Sequence, residues 1–329
     1  MKSFLIASLT LLIVGGCRTI GSGSAGESES ELRANSNQAI TFGELAQERV
    51  FKSYQTLAEN VGRLSKDSLP HEGKALRKDL DLARDMLDIF APVMPGTEKN
   101  DFFLALRENL DMGYESVGFF KDLYDVQGVA SPDEAVYDQG EVKEFLKPVL
   151  DWKESFLDKD FQRASQTFFE TIDADHVYKR KSKDLSKFYW RNIENLPSFG
   201  DPAGDSLIRL IKGLLKQARA EEDQLLEIKS VVDKDDQEVF HDFRKRVRTV
   251  VEVSEYFSEL FDPSEIQKAK LVVLTELVAR YGALHDKMIS YDRALEKDKK
   301  SKAKELAREI DADWQDIKKW QKDAVELKL

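Results

Sequence analysis

HDFRKRVRTVVEVSEYF, running from His241 to Phe257, is the stretch from which the rest of the chain can be read. Wound at about 100° per residue, it places His241, Arg244, Lys245 and Arg248 on one face and Phe243, Val247, Val250 and Phe257 on the other, with Phe240 just before it on the same apolar side. One helix therefore offers a side to pack and a strongly cationic side. Arginine suits phosphate because its planar donors reach two oxygens at once. Lysine adds a point charge, and histidine donates or becomes cationic. The plain alternative is a solvated face opposite a core, which amphipathicity alone favours.

Just upstream, Arg209, Lys212, Lys216 and Arg219 form a second cationic row, backed by Leu207, Ile211, Leu214 and Leu215. Two such rows facing one another would make a groove for an extended polyanion. Each row alone again reads as a solvated helix face.

Farther out, apolar residues recur at three- and four-residue spacing almost throughout, and no run of period two appears. The expectation is an all-α protein, a helical bundle with helices over 40–65, 74–92, 98–125, 139–157, 159–177, 183–195, 204–232, 235–260 and 264–325, where the last is one long helix or two. Proline and glycine punctuate at Leu69-Pro70, Pro92 to Gly96, Ala130 to Pro132, Pro197 to Gly204 and Pro263. The paired aromatics Phe102-Phe103, Phe119-Phe120, Phe168-Phe169 and Phe188-Tyr189-Trp190 are expected in the core.

The N-terminus has a different character. Lys2, the apolar run Phe4 to Val14 and two glycines give the three-part layout of a secretory signal over residues 1–16, too short to span a bilayer. Val14-Gly15-Gly16-Cys17 resembles a lipoprotein cleavage box, and Cys17 is the chain's one cysteine, so lipidation there is expected. Residues 17–38 then form a Gly-, Ser- and Glu-rich tether without aromatics. The implied localisation is the cell envelope, anchored to a membrane through lipid such as palmitate, on the periplasmic side of the outer membrane if the host is Gram-negative. The folded part, 39–329, is expected to be soluble.

Net charge is −11, or −12 once a leader carrying Lys2 is removed. Such a balance repels nucleic acid, so no nucleic-acid partner is expected and any anion site must come from local clustering. His71, placed in a loop, His176 and His285 lack metal-ligand spacing, and the lone Glu238/His241 pair has no second copy, so neither metal nor cofactor is expected. Without a phosphate loop, nucleophile elbow or second cysteine, no enzyme is expected either.

His241 to Phe257 resembles the second signature helix of the CHAD domain, the conserved-histidine α-helical domain, at His241, Phe243, Arg244, Lys245, Val247, Arg248, Glu255 and Phe257. Tyr281-Gly282-Ala283-Leu284-His285-Asp286 is similar to the family's following Leu-Gly-x-x-x-Asp element. Lys74 to Phe90 (KALRKDLDLARDMLDIF) aligns with the first signature helix at Leu76, Arg77, Leu80, Arg84, Leu87 and Phe90, and Leu110 to Glu115 stands where its second element belongs. Lys74 replaces the family's first histidine, Asp79, Asp81, Asp85 and Asp88 offset the cations of this copy, and Thr249 and Val251 stand where the family often has arginine.

The resemblance implies a duplication, two helical halves of about 39–196 and 197–329 with two-fold pseudo-symmetry. It also implies non-catalytic binding of inorganic polyphosphate or another phosphate-rich polyanion such as envelope phosphates. On that expectation His241, Arg244, Lys245 and Arg248 contact phosphate, helped by Arg209, Lys212, Lys216, Arg219, Arg77 and Arg84. The alternative is a structural or interaction lipoprotein that has lost the anion site and recognises a protein partner.

Overall fold

In a computed structural model of the chain, the described residues are 33–34, 40–66, 68–96, 101–127, 139–180, 189–262, 265–296 and 298–324. The stretch expected to be a signal, Cys17 and most of the expected tether lie outside them. The architecture is an all-α bundle of α1 (Phe42–Arg63), α2 (Leu69–Phe90), α3 (Phe102–Gln127), α4 (Gln139–Phe156), α5 (Lys159–Glu170), α6 (Ala203–Glu227), α7 (Lys234–Tyr256), α8 (Glu265–Glu296) and α9 (Lys300–Ala324). One two-residue ladder accompanies them: β1 (Arg33–Ala34), inside the stretch read as tether, pairs antiparallel with β2 (Phe261–Asp262). Among the described residues no helix is long and apolar enough to cross a membrane.

Local chemistry sets the helix ends. Thr41 accepts from the Glu44 amide at 3.3 Å while the Glu44 carboxylate accepts from the Thr41 amide at 2.8 Å, a reciprocal cap on α1. Asp158 accepts from the Asp160 and Phe161 amides and starts α5. Proline 70 sits in the first turn of α2, where its missing N–H costs nothing, so this helix begins at Leu69 rather than at 74 and carries His71 with it.

Two expected helices differ. α5 stops at Glu170, where Thr171 donates its hydroxyl back to the Thr167 and Phe168 carbonyls. The described part of 183–195 is a series of turns, with Asn192 and Asn195 both left-handed at φ 57°. Asparagine tolerates that conformation and cannot continue a helix in it. The long C-terminal segment is two helices, α8 and α9, with left-handed Asp298 (φ 51°) between them.

Successive helices pack on one another within α1–α5 and within α6–α9, and one core runs through both groups. Phe90 at the end of α2 meets Phe42 of α1 (4.9 Å) and Phe257 beyond α7 (5.8 Å), tying the two groups together. Phe103, Phe120, Phe168, Phe169 and Trp190 are buried as expected. The N-terminus of α1 is held by the loop before α6: Phe42 donates to the Asp201 carbonyl (2.7 Å) and Gly43 to that of Phe199 (2.9 Å). Three indole N–H groups donate to backbone carbonyls, Trp152 to Asn109 (3.0 Å), Trp190 to Ile89 (2.7 Å) and Trp314 to Ile228 (2.9 Å).

Candidate anion-binding site

Arg77 and Arg84 are two turns apart on α2, on the face that meets α3. Both guanidinium groups stack on the ring of Tyr114 in α3, at 4.1 and 4.0 Å from its centroid. Gly118, one turn on, makes room: a Cβ there would stand 2.6 Å from Arg77 Nη1. Arg84 also pairs with Asp111 (2.9 Å) and faces Asp81 (3.6 Å). The adjacent Arg107 clamps Asp88 with two bonds (2.6 and 2.9 Å) and touches Asp111.

α7 brings its cations to the same place. Arg248 binds Glu252 at 2.6 Å and reaches across to Asp81 of α2. Burial pulls its pKa down, but Asp81 and Glu252 outweigh that and the net shift is upward. One turn earlier, Arg244 forms no ion pair among the described residues, and its buried Nε has no hydrogen-bond partner there. Burial first, and then the neighbouring Arg248 charge, press its pKa down, while Asp286 and Tyr114 act against this from a distance.

His241, a further turn back, lies edge-on to His285 of α8 with ring centroids 4.7 Å apart. Burial, His285, Lys245 and Arg244 together push the His241 pKa down to about 4, so the ring is neutral at pH 7. Lys245 is exposed beside it. Beneath this surface Asp85 is buried, accepts a hydrogen bond from the Tyr189 hydroxyl, and is pushed well above the usual carboxylate range by burial and by Glu252 and Asp81.

The structure thus gathers His241, Arg244, Lys245, Arg248, Arg77 and Arg84 at the junction of α2, α3, α7 and α8. It does not add the α6 row. Arg209 donates to the Asn195 carbonyl (2.6 Å) and faces Asp201 (3.8 Å), while Lys212, Lys216 and Arg219 are exposed on the side of α6 opposite buried Leu207, Ile211, Leu214 and Ala218. α7 meets α6 through Arg246 and Glu221, and Arg246 is roughly 200° around the helix from Arg244 at about 100° per residue. The two rows therefore do not face one another and frame no shared groove. The reason is that α6 turns its apolar side, not its cationic side, toward the rest of the bundle.

Sequence reasoning missed His285 as a neighbour of His241, Tyr114 as a shared stacking ring and Asp81 as the carboxylate between two arginines. Each left a trace: His285 and Tyr114 fall in the elements that follow the two signature stretches, and Asp81 is one of the acids offsetting the first cationic stretch. Among the described residues no cluster of His, Cys, Asp and Glu is arranged to hold a metal. A cavity of about 890 Å³ between α1 and α5, floored by Phe51, Tyr54, Leu157 and Phe169, lies apart from these cations. Comparison of the chain with family models, curated proteins and solved structures found no match.

Proposed function

We propose that the chain is a membrane-tethered lipoprotein, lipidated at Cys17, whose helical body binds a phosphate-rich polyanion, polyphosphate or a chemically similar envelope polymer, without catalysing a reaction. The observation that carries this is Arg244, a largely buried guanidinium with no ion-pair partner among the described residues, sharing its helix face with Arg248, Lys245 and His241. Withdrawing a charge from water is costly unless an opposite charge offsets it, and an anion seated over Arg244, Lys245 and His241 would supply one. The resemblance of His241 to Phe257 and of Lys74 to Phe90 to CHAD signature helices points to the same ligand class and would make the two helix groups copies of one unit. The site is compact: His241, Arg244 and Lys245 form its centre, Arg77 its edge, and Arg84 and Arg248 act mainly by holding it together through Asp81 and Asp111.

Titrating the chain with long polyphosphate at two salt concentrations tests this. Affinity should fall steeply with salt, as counterion release requires. Arg244→Gln should weaken binding by about tenfold or more, the loss of one charge-assisted contact. Arg219→Gln, on the outer side of α6, should change it little. Equal affinity of Arg244→Gln and the unaltered chain would overturn the proposal.

One set of contacts favours the second reading, a scaffold that recognises a protein partner. Arg84, Arg248 and Arg209 already have carboxylate neighbours, and the chain is acidic overall. Absence of polyphosphate binding at low salt would decide for that reading.

A further inference from the structure

We propose that His285 joins His241 as a ligand-binding residue of the Arg244 site, and that a phosphate-class anion seated there draws a proton onto this histidine pair, so that binding tightens as pH falls. This rests on the anion-binding reading above and adds to it a residue and a coupled ion.

The two rings come from different helices, α7 and α8, and meet at 4.7 Å with an angle of 72° between planes. The Nδ1 atoms of both rings are buried and without a hydrogen-bond partner. Buried polar atoms are nearly always paired, so two orphans side by side call for a water or an ion that the chain itself does not supply. The groups facing the pair decide which kind of partner. From α7 these are Arg244, Lys245 and Asp242, and from α8 Asp286, whose carboxylate lies 3.8 Å from His285 Nδ1. Tyr114 of α3 completes the surroundings through its proximity to Arg244. Arg244 and Lys245 beside the rings oppose a metal ion and favour an anion.

In the free protein burial, then His285 and those same cations, push the His241 pKa down to about 4 and keep the ring neutral. An arriving phosphate group reverses the local field. Its negative charge stabilises imidazolium, and each protonated ring gains a donor to aim at an anionic oxygen. Proton uptake and anion binding then assist each other reciprocally. If one proton is taken up per site, affinity changes by about tenfold per pH unit between the free and bound pKa values.

Calorimetry on the full chain distinguishes the possibilities. The probe is long-chain polyphosphate, whose internal groups hold their charge through this range, at fixed ionic strength, at pH 5.5 and 7.5, in two buffers of different ionisation enthalpy. Binding at pH 5.5 should be tighter by about tenfold or more, with net proton uptake approaching one per site. His285→Gln should lose at least half of the gain in affinity between pH 7.5 and pH 5.5, with unchanged helical circular dichroism. Equal affinity at both pH values without proton uptake overturns this inference and leaves the Arg244 site standing, and a pH response intact in His285→Gln removes His285 from it. Failure to bind at either pH removes both.

Discussion

Asp81 occupies the position between Arg84 on its own helix and Arg248 on α7, and its neighbour one turn on, Asp85, is buried against Tyr189. The two carboxylates have opposite consequences. Asp81 is compensated by two guanidinium groups, whereas Asp85 shares a desolvated space with Asp81 and Glu252 and is held above the usual carboxylate range. A carboxyl whose folded pKa exceeds its unfolded value contributes stability below the unfolded pKa and loses it as pH rises through the folded one. Asp85→Asn keeps an acceptor for the Tyr189 hydroxyl and removes the titration. It should therefore raise stability at pH 8 by roughly 1–2 kcal/mol, with the difference shrinking toward pH 4. Thermal unfolding at both pH values checks this, and a variant less stable at pH 8 would show that an ionised Asp85 serves Arg248. Residue by residue, the candidate site was legible on α7, where a single helical face collects the cations. Which acid neutralises which base was not, because Asp81 and Arg248 are distant in sequence and no periodicity links them. The same holds for His241 and His285.

Among the helices, the legible ones are those whose apolar residues keep a 3.6-residue period against one neighbour. Residues 189–195 show where this fails: Tyr189, Trp190 and Ile193 mimic helical spacing, yet they fill the core from turns built on two left-handed asparagines. Helix α3 is limited by closeness of approach instead. At Gly113 it lies so near Trp152 of α4 that a Cβ would overlap the indole ring. Gly113→Ala should destabilise the protein by about 1–3 kcal/mol despite the better helix propensity of alanine, as overpacking outweighs propensity. Chemical denaturation gives the sign directly. A stabilised variant would mean that α4 yields to α3. The cap on α1 predicts a smaller cost, about 1 kcal/mol for Thr41→Ala, read from the same denaturation midpoint.

At the scale of the whole molecule, all-α architecture was legible because charged and apolar residues are segregated by helical period along nearly the entire chain. How the cationic faces are oriented was not, since that depends on which side of α6 the bundle buries. Phe90 is the point where α1, α2 and the end of α7 converge, so its loss is expected to affect both helix groups. Phe90→Ala should cost about 3–5 kcal/mol and still give one unfolding transition, because the core is continuous. Two separated transitions would show that α1–α5 and α6–α9 fold independently. The three indoles clasped to backbone carbonyls offer a way to watch this without any added label. Trp152 and Trp190 belong to the first part of the bundle and its closing turns, Trp314 to α9, and all are shielded from water. Their emission should be blue in the native protein and move to the red on exposure. Replacing Trp320 and two of the three by phenylalanine at a time would make the remaining ring a local gauge of when its own carbonyl lets go.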